Sequence, residues 1–306
     1  MSILLILAGF AGLLVGGEML VRGAVAVAER LRVSPIVIGV TLVGFGTSMP
    51  ELLTSVQAAV AGSPGIAVGN VVGSNIANIL LILGAAAAIR SIAVGGAAFR
   101  RDGTVLALAT LVGLGIVLTG ALGRGAGLLL VAGLVAYVAY AIRTGAAVEP
   151  DSHAAPPRMD TGLLLFVAGL AITIAGARAL VLGAVDLATL WGVSEAVIGL
   201  TVVAVGTSLP ELVTSVVAAR KGQSDLAFGN IVGSNIFNVL GILGVTALVE
   251  PLAVPPEIAR FDIWVMVAAT AALVAAAITG WRITRREGVA FVLAYVVYVG
   301  WLVAGA

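Results

Sequence analysis

Two ten-residue stretches, GTSMPELLTS from Gly46 and GTSLPELVTS from Gly206, set a glycine, two hydroxyl side chains, a proline and a glutamate in the same order. Thr47, Ser48 and Glu51 in the first, and Thr207, Ser208 and Glu211 in the second, offer only oxygen. Carboxylate, hydroxyl and carbonyl oxygens are the ligands of hard cations, about 6 to 8 of them for calcium. Transition metals recruit His or Cys instead, and the chain has no cysteine and a single histidine, His153, remote in sequence from both motifs. The inventory suits calcium or sodium. Pro50 cannot donate the hydrogen bond that would close a helical turn onto Gly46, and its ring crowds that carbonyl. A helix carrying the motif is expected to break or kink there, with Gly44 and Gly46 loosening the same turn, and Pro210 repeats the arrangement. Glu51 follows Thr47 at i, i+4, so both face one side.

A second pair, GNVVGSNIANIL from Gly69 and GNIVGSNIFNVL from Gly229, matches Asn70, Ser74, Asn75 and Asn78 with Asn230, Ser234, Asn235 and Asn238. Ser74 and Asn78 lie one helical turn apart, as do Ser234 and Asn238, so each pair can present oxygens to one cavity. Gly69 with Gly73, and Gly229 with Gly233, form small-xxx-small steps that let helices approach closely.

The elements that must position these residues are membrane spans. A chain of 306 residues that is 61% hydrophobic and 10% charged departs from the charged fraction of about 25% usual in soluble domains. Apolar runs near the 20 residues needed to cross the hydrocarbon core recur ten times: Ile3 to Ala28, Ser34 to Val60, Ile66 to Ile89, Thr104 to Thr119, Gly125 to Ile142, Thr161 to Leu187, Ser194 to Ala219, Leu226 to Val249, Asp262 to Thr279 and Gly288 to Ala304. The expected fold class is an all-α polytopic membrane protein. A carboxylate at that depth costs about 2.5 to 3.5 kcal/mol on insertion scales, which marks Glu51 and Glu211 as site residues. Glu18 and Arg22, at i, i+4, can neutralise one another.

Of the Lys and Arg outside the spans, twelve fall in odd-numbered loops and only Arg124 and Arg260 in even ones. The positive-inside tendency then puts the odd loops in the cytoplasm and both termini outside. Sliding the sequence by 160 residues matches 27 of the 44 positions between Thr41 and Gly84, without a gap. Such self-similarity points to a duplicated unit. Five spans per unit make the second unit enter from the opposite face, an inverted repeat of the kind whose ion site lies at the membrane midplane. The units expected are 1–148 and 161–306, joined by a cytoplasmic linker, 149–160, where His153, Glu149, Asp151 and Asp160 read as solvated.

Carried by these two motifs in duplicate, the sequence resembles the cation/calcium antiporter superfamily, most closely its sodium/calcium exchanger branch, along both halves. The resemblance implies a ten-helix inverted-repeat antiporter of the inner membrane that exchanges Ca²⁺ for Na⁺, electrogenically, with no enzymatic activity, no cofactor and no nucleic-acid partner. It implies Glu51 and Glu211 shared between calcium and sodium sites, with Thr47, Ser48, Thr207, Ser208, Ser74, Ser234, Asn78 and Asn238 completing the cavity. Backbone carbonyls one turn before the threonines map to Gly44 and Ala204. Asn238 stands where potassium-dependent members have Asp, which implies potassium-independent exchange. Movement of the first and sixth spans against the rest would give alternating access. The net charge of +1 says nothing of partners, because charge acts here through its placement across loops, and a monomer is the expected state. A proton/calcium antiporter is the main alternative, since a buried Glu can titrate. A channel is disfavoured by two broken helices converging on one site, and a hydrolase by the lack of an in-membrane His or aspartate pair.

Overall fold

The computed structural model describes residues 1–145, 159–190 and 204–305. Their helices are α1 (Ser2–Leu31), α2 (Pro35–Thr47), α3 (Met49–Val60), α4 (Pro64–Ile89), α5 (Gly96–Thr119), α6 (Arg124–Thr144), α7 (Met159–Leu190), α8 (Ala204–Thr207), α9 (Leu209–Arg220), α10 (Ser224–Val249), α11 (Ile258–Gly280) and α12 (Arg285–Gly305). Among the described residues, eight helices are long and apolar enough to cross a membrane, and the bent pair α2–α3 makes a ninth. The expected span Ser194 to Ala219 is described from Ala204 onward, and residues 194–203 lie outside the described residues, as do 149–158 of the expected linker.

The break that Pro50 dictates falls at Ser48, whose φ of −84° and ψ of 7° leave the helical region. Across it α2 and α3 meet at 43°. Ser208 does the same before Pro210, with φ −88° and ψ 7°.

Two helix starts differ from expectation by four residues or more. Helix α5 begins at Gly96 rather than Thr104, and α11 at Ile258 rather than Asp262. Arg100 and Arg101 read as loop residues because charge normally ends a span, but Arg100 stays exposed with its guanidinium over the Trp281 ring, and the Arg101 charge is cancelled inside the helix. Arg101 donates two hydrogen bonds to the fully buried Asp102, Nε to Oδ1 at 2.7 Å and Nη2 to Oδ2 at 2.8 Å, and Tyr137 donates a third at 3.0 Å. Met159 and Asp160, expected in the linker, already belong to α7.

Helices α4 and α10 run through the centre of the molecule, with 72% and 89% of their apolar windows buried against 11% for α12. On one flank α1 and α7 lie against each other along their whole length. Glycines recur every seven residues at Gly9, Gly16 and Gly23, and at Gly162, Gly169, Gly176 and Gly183. A Cβ on Gly9 would stand 2.5 Å from the Leu180 nitrogen, and one on Gly16 2.6 Å from the Thr173 nitrogen, while Gly23 meets Phe166. Ascending positions in α1 thus meet descending ones in α7, an antiparallel pair in backbone contact that no larger residue would allow.

The described residues are all-helical, as expected, apart from four two-residue strands in the loops. β1 (Ile92–Ala93) pairs antiparallel with β4 (Arg282–Ile283), and β2 (Ala121–Leu122) with β3 (Leu252–Ala253). On the ten-span count expected from the sequence, the first ladder joins the third and ninth loops and the second the fourth and eighth. Arg124 adds to the latter by donating to the carbonyls of Leu248 and Val249 at 3.1 Å. Loops of like parity meet, as a common side of the membrane requires.

Candidate cation-binding site

The two broken helices and the two central helices converge on one polar cluster in an otherwise apolar core. Thr47, Ser48, Glu51, Ser208 and Glu211 are buried, as are Ser74, Asn78, Ser234 and Asn238. Each serine at a break reaches across to the other half. Ser48 Oγ donates to Glu211 Oε1 at 2.9 Å, and Ser208 Oγ donates to Glu51 Oε1 at 3.1 Å. The second carboxylate oxygen of each glutamate, Oε2, is buried without a hydrogen-bond partner, as are Oδ1 of Asn78 and both polar side-chain atoms of Asn238.

The helices that bring these groups together do so by backbone contact. A Cβ on Gly229 would stand 2.6 Å from the Ile36 carbonyl oxygen, and Gly233 packs on the backbone of Val40, so α10 lies directly on α2. The other small-xxx-small step behaves differently among the described residues. A Cβ on Gly69 would meet only Ile258, at 3.7 Å, and one on Gly73 nothing within 4 Å. The segment that corresponds to Ile36–Val40 by the 160-residue offset, 196–200, lies outside the described residues.

Gly44 accepts the Ser48 amide at 3.2 Å, and Ser234 Oγ lies 3.5 Å from the same carbonyl oxygen. Thr207 ends α8 and is half-buried, and Ala204 opens that helix. The asparagines of the central helices have an unforeseen backbone setting: Asn78 opens a π-helical stretch, Asn78–Leu83, and Asn238 is the second residue of another, Phe237–Ile242. Wide turns of this kind cluster at functional sites because they offset the helix face. Sequence patterns carry no signal for them.

A second ring of polar contacts supports the cluster. Asn70 Nδ2 donates to Ser55 Oγ at 2.9 Å and to the Glu51 carbonyl at 3.1 Å; Asn230 Nδ2 donates to Ser215 Oγ at 2.9 Å and to the Glu211 carbonyl at 3.4 Å. Ser55 and Ser215 close the duplicated motif in sequence and were not among the expected site residues. Their signal was there, since both recur at the same offset.

A buried carboxylate oxygen without a donor is costly unless a charge of opposite sign meets it. Two such oxygens, hydroxyls and amide oxygens form a hard, anionic donor set suited to Na⁺ or Ca²⁺ and poor in the nitrogen and sulfur that transition metals favour. Among the described residues no group of three His, Cys, Asp or Glu converges. Away from this cluster, Glu18 accepts from Arg22 Nε at 2.7 Å and also from Lys221, which the sequence pairing of Glu18 with Arg22 did not foresee.

Comparison with known proteins agrees with this picture. The family model described as sodium/calcium exchanger protein matches residues 1–143 and 161–304. The chain is 39% identical over 305 residues to CaxA of Alkalimonas amylolytica, covering 96% of each. It is 33% identical to the sodium/calcium exchanger MaX1 of Methanosarcina acetivorans, covering 97% of each. Among solved structures, the sodium-calcium exchanger NCX_Mj soaked with 10 mM Na⁺ and zero Ca²⁺ superposes with a TM-score of 0.87 at 31% identity, over 98% of both chains. With both halves matched by the family model and full-length relatives above 30% identity, the chain belongs to the sodium/calcium exchanger branch of the cation/calcium antiporter superfamily.

Proposed function

We propose that the protein is a secondary active antiporter that exchanges Ca²⁺ for Na⁺ by alternating access through the cavity between Glu51 and Glu211. The observation that carries this reading is the crossed pair of hydrogen bonds, Ser48 to Glu211 and Ser208 to Glu51, which leaves one oxygen of each carboxylate unpartnered. The two carboxylates, when ionised, give the cavity a charge of about −2, which one Ca²⁺ or two Na⁺ would neutralise, so the two ions exclude one another. Thr47, Thr207, Ser74, Ser234, Asn78 and Asn238, with the carbonyls of Gly44 and Ala204, complete the oxygen set. With more than two Na⁺ per Ca²⁺, the sodium-loaded state is net positive and exchange carries current. An empty, doubly charged cavity crosses poorly, which enforces exchange over leak.

The proposal includes ten spans in two inverted repeats, 1–148 and 161–306, with both termini outside the inner membrane. The antiparallel fit of α1 on α7 and the like-parity strand ladders support it. Asn238 in place of a carboxylate favours potassium-independent exchange. Hydroxyls beside each glutamate favour Na⁺ over protons as the coupling ion, and coupling to protons is the second reading.

Calcium uptake into sodium-loaded proteoliposomes, with sodium and pH gradients imposed separately, decides between them. Uptake that follows the sodium gradient and an inward positive current on reversal are expected. Calcium flux driven by a pH gradient in the absence of sodium would overturn sodium coupling.

A further inference from the structure

Asn230 belongs to the ring behind the cavity, and its surroundings fix which way its amide faces. Its Nδ2 lies 3.4 Å from the Glu211 carbonyl, which only accepts, and 2.9 Å from Ser215 Oγ. The end of the amide turned toward a carbonyl must be the NH₂. The other end, Oδ1, then faces Thr47 of the opposite half, whose Oγ1 lies 3.2 Å away. Thr47 has one hydroxyl proton, and Asn230 Oδ1 and the Val43 carbonyl at 3.0 Å both lie within hydrogen-bond distance to accept it, in competition with the nearby Glu211 carboxylate. With the proton held by Asn230 or Val43, the hydroxyl shows only lone pairs to anything else it meets. Thr47, Ser215 and Asn230 are all buried, so water does not compete for these bonds.

We propose that Asn230 is a positioning residue for ion binding: held by Ser215 and the Glu211 carbonyl, it keeps Thr47 oriented as an oxygen donor and ties that threonine to the glutamate of the other half. Asn70 repeats the hold on its own side, through Ser55 and the Glu51 carbonyl. The effect is directional. A free threonine hydroxyl can turn its proton toward a cation, which repels it, whereas one with a committed proton cannot.

The inference rests on the cavity reading above, and the experiment separates the two. Half-saturating Na⁺ and Ca²⁺ are measured in proteoliposome exchange for Asn230→Leu, Ser215→Ala, Thr47→Val and the two doubles with Thr47→Val, with Glu51→Gln as control. Asn230→Leu removes the amide at similar volume and should raise both half-saturating concentrations about three- to tenfold, the range that one hydrogen bond commands. Maximal rate should stay within about twofold, a split that general loosening of the fold would not give. Ser215→Ala removes one anchor and should raise them about twofold. In the Thr47→Val background neither change should add more than about twofold, because the group they orient is gone. Effects that multiply in the doubles, or unchanged half-saturation in Asn230→Leu, would overturn the proposal. If Asn230→Leu fails to fold, Ser215→Ala alone and with Thr47→Val decides by the same criteria. Unaltered exchange in Glu51→Gln would instead overturn the cavity reading itself.

Discussion

Replacing Glu211 by Gln keeps the shape of the side chain and an acceptor for the Ser48 hydroxyl at 2.9 Å, but puts an NH₂ where the unpartnered Oε2 stands. One negative charge leaves the cavity and a donor takes the place of a ligand. At about 4 Å and an effective dielectric of about 20, a unit charge attracts Na⁺ by about 4 kcal/mol, and the doubled charge of Ca²⁺ raises this to about 8 kcal/mol. Relief of repulsion from Glu51 and of the burial cost belongs to the ion-free state and is common to both ions. It cancels in their ratio. What survives is a difference of about 4 kcal/mol, or about a thousandfold loss of Ca²⁺ affinity relative to that for a single Na⁺. Ion-dependent thermal stabilisation of the detergent-solubilised protein reads the two affinities without requiring transport, and vesicle flux reads exchange. Exchange should vanish while the protein stays folded. Calcium binding within about tenfold of the parent, or Na⁺ weakened as much as Ca²⁺, would refute the assignment of Glu211 as a shared ligand.

Ser48→Ala and Ser208→Ala each strip one hydrogen bond from the glutamate of the opposite half, and each should raise half-saturating Ca²⁺ about tenfold or more in flux assays, as loss of a bond to a charged group does. Gly16→Ala drives a Cβ to 2.6 Å from the Thr173 nitrogen and should lower stability by about 1 to 3 kcal/mol in thermal melts, whereas Gly133→Ala, with nothing within 4 Å, should leave it unchanged. Asp102→Asn leaves the Arg101 charge uncompensated in a buried site and should cost about 3 to 5 kcal/mol by the same measure. Because the chain contains no cysteine, single cysteines report sidedness directly: at Arg124 or Glu250 they should react with an impermeant maleimide added outside cells, and at Arg90 or Arg282 only after permeabilisation.

The inventory of the candidate site was legible because the duplication printed it twice. Pro50 and Pro210 announced the helix breaks, and the structure puts them at Ser48 and Ser208, two residues upstream of each proline. The crossing of Ser48 to Glu211 was not legible, since spacing within one helix says nothing of which oxygen in the other half a hydroxyl meets. The π-helical turns at Asn78 and Asn238 were equally hidden: α4 and α10 are buried on most sides, so a shifted helix face leaves little mark on their hydrophobic pattern. Arg101 misled because a buried arginine looks like a loop arginine until its partner is known. Asp102 beside it and Tyr137 from the next helix supply that partner, and only the folded chain shows it.

The two strand ladders also set an order of assembly. Ile92 waits for Ile283, and Leu122 for Leu252, so the ribosome has delivered most of the chain before either ladder closes. Until then the strand edges of the first half are without these partners. By the 160-residue offset, β1 corresponds to β3 and β2 closely to β4, so each strand pairs with the counterpart of its neighbour in its own half. The exchange of edges that completes one long polypeptide would serve equally well between two half-length ones, as in a swapped dimer whose partners have since been tethered.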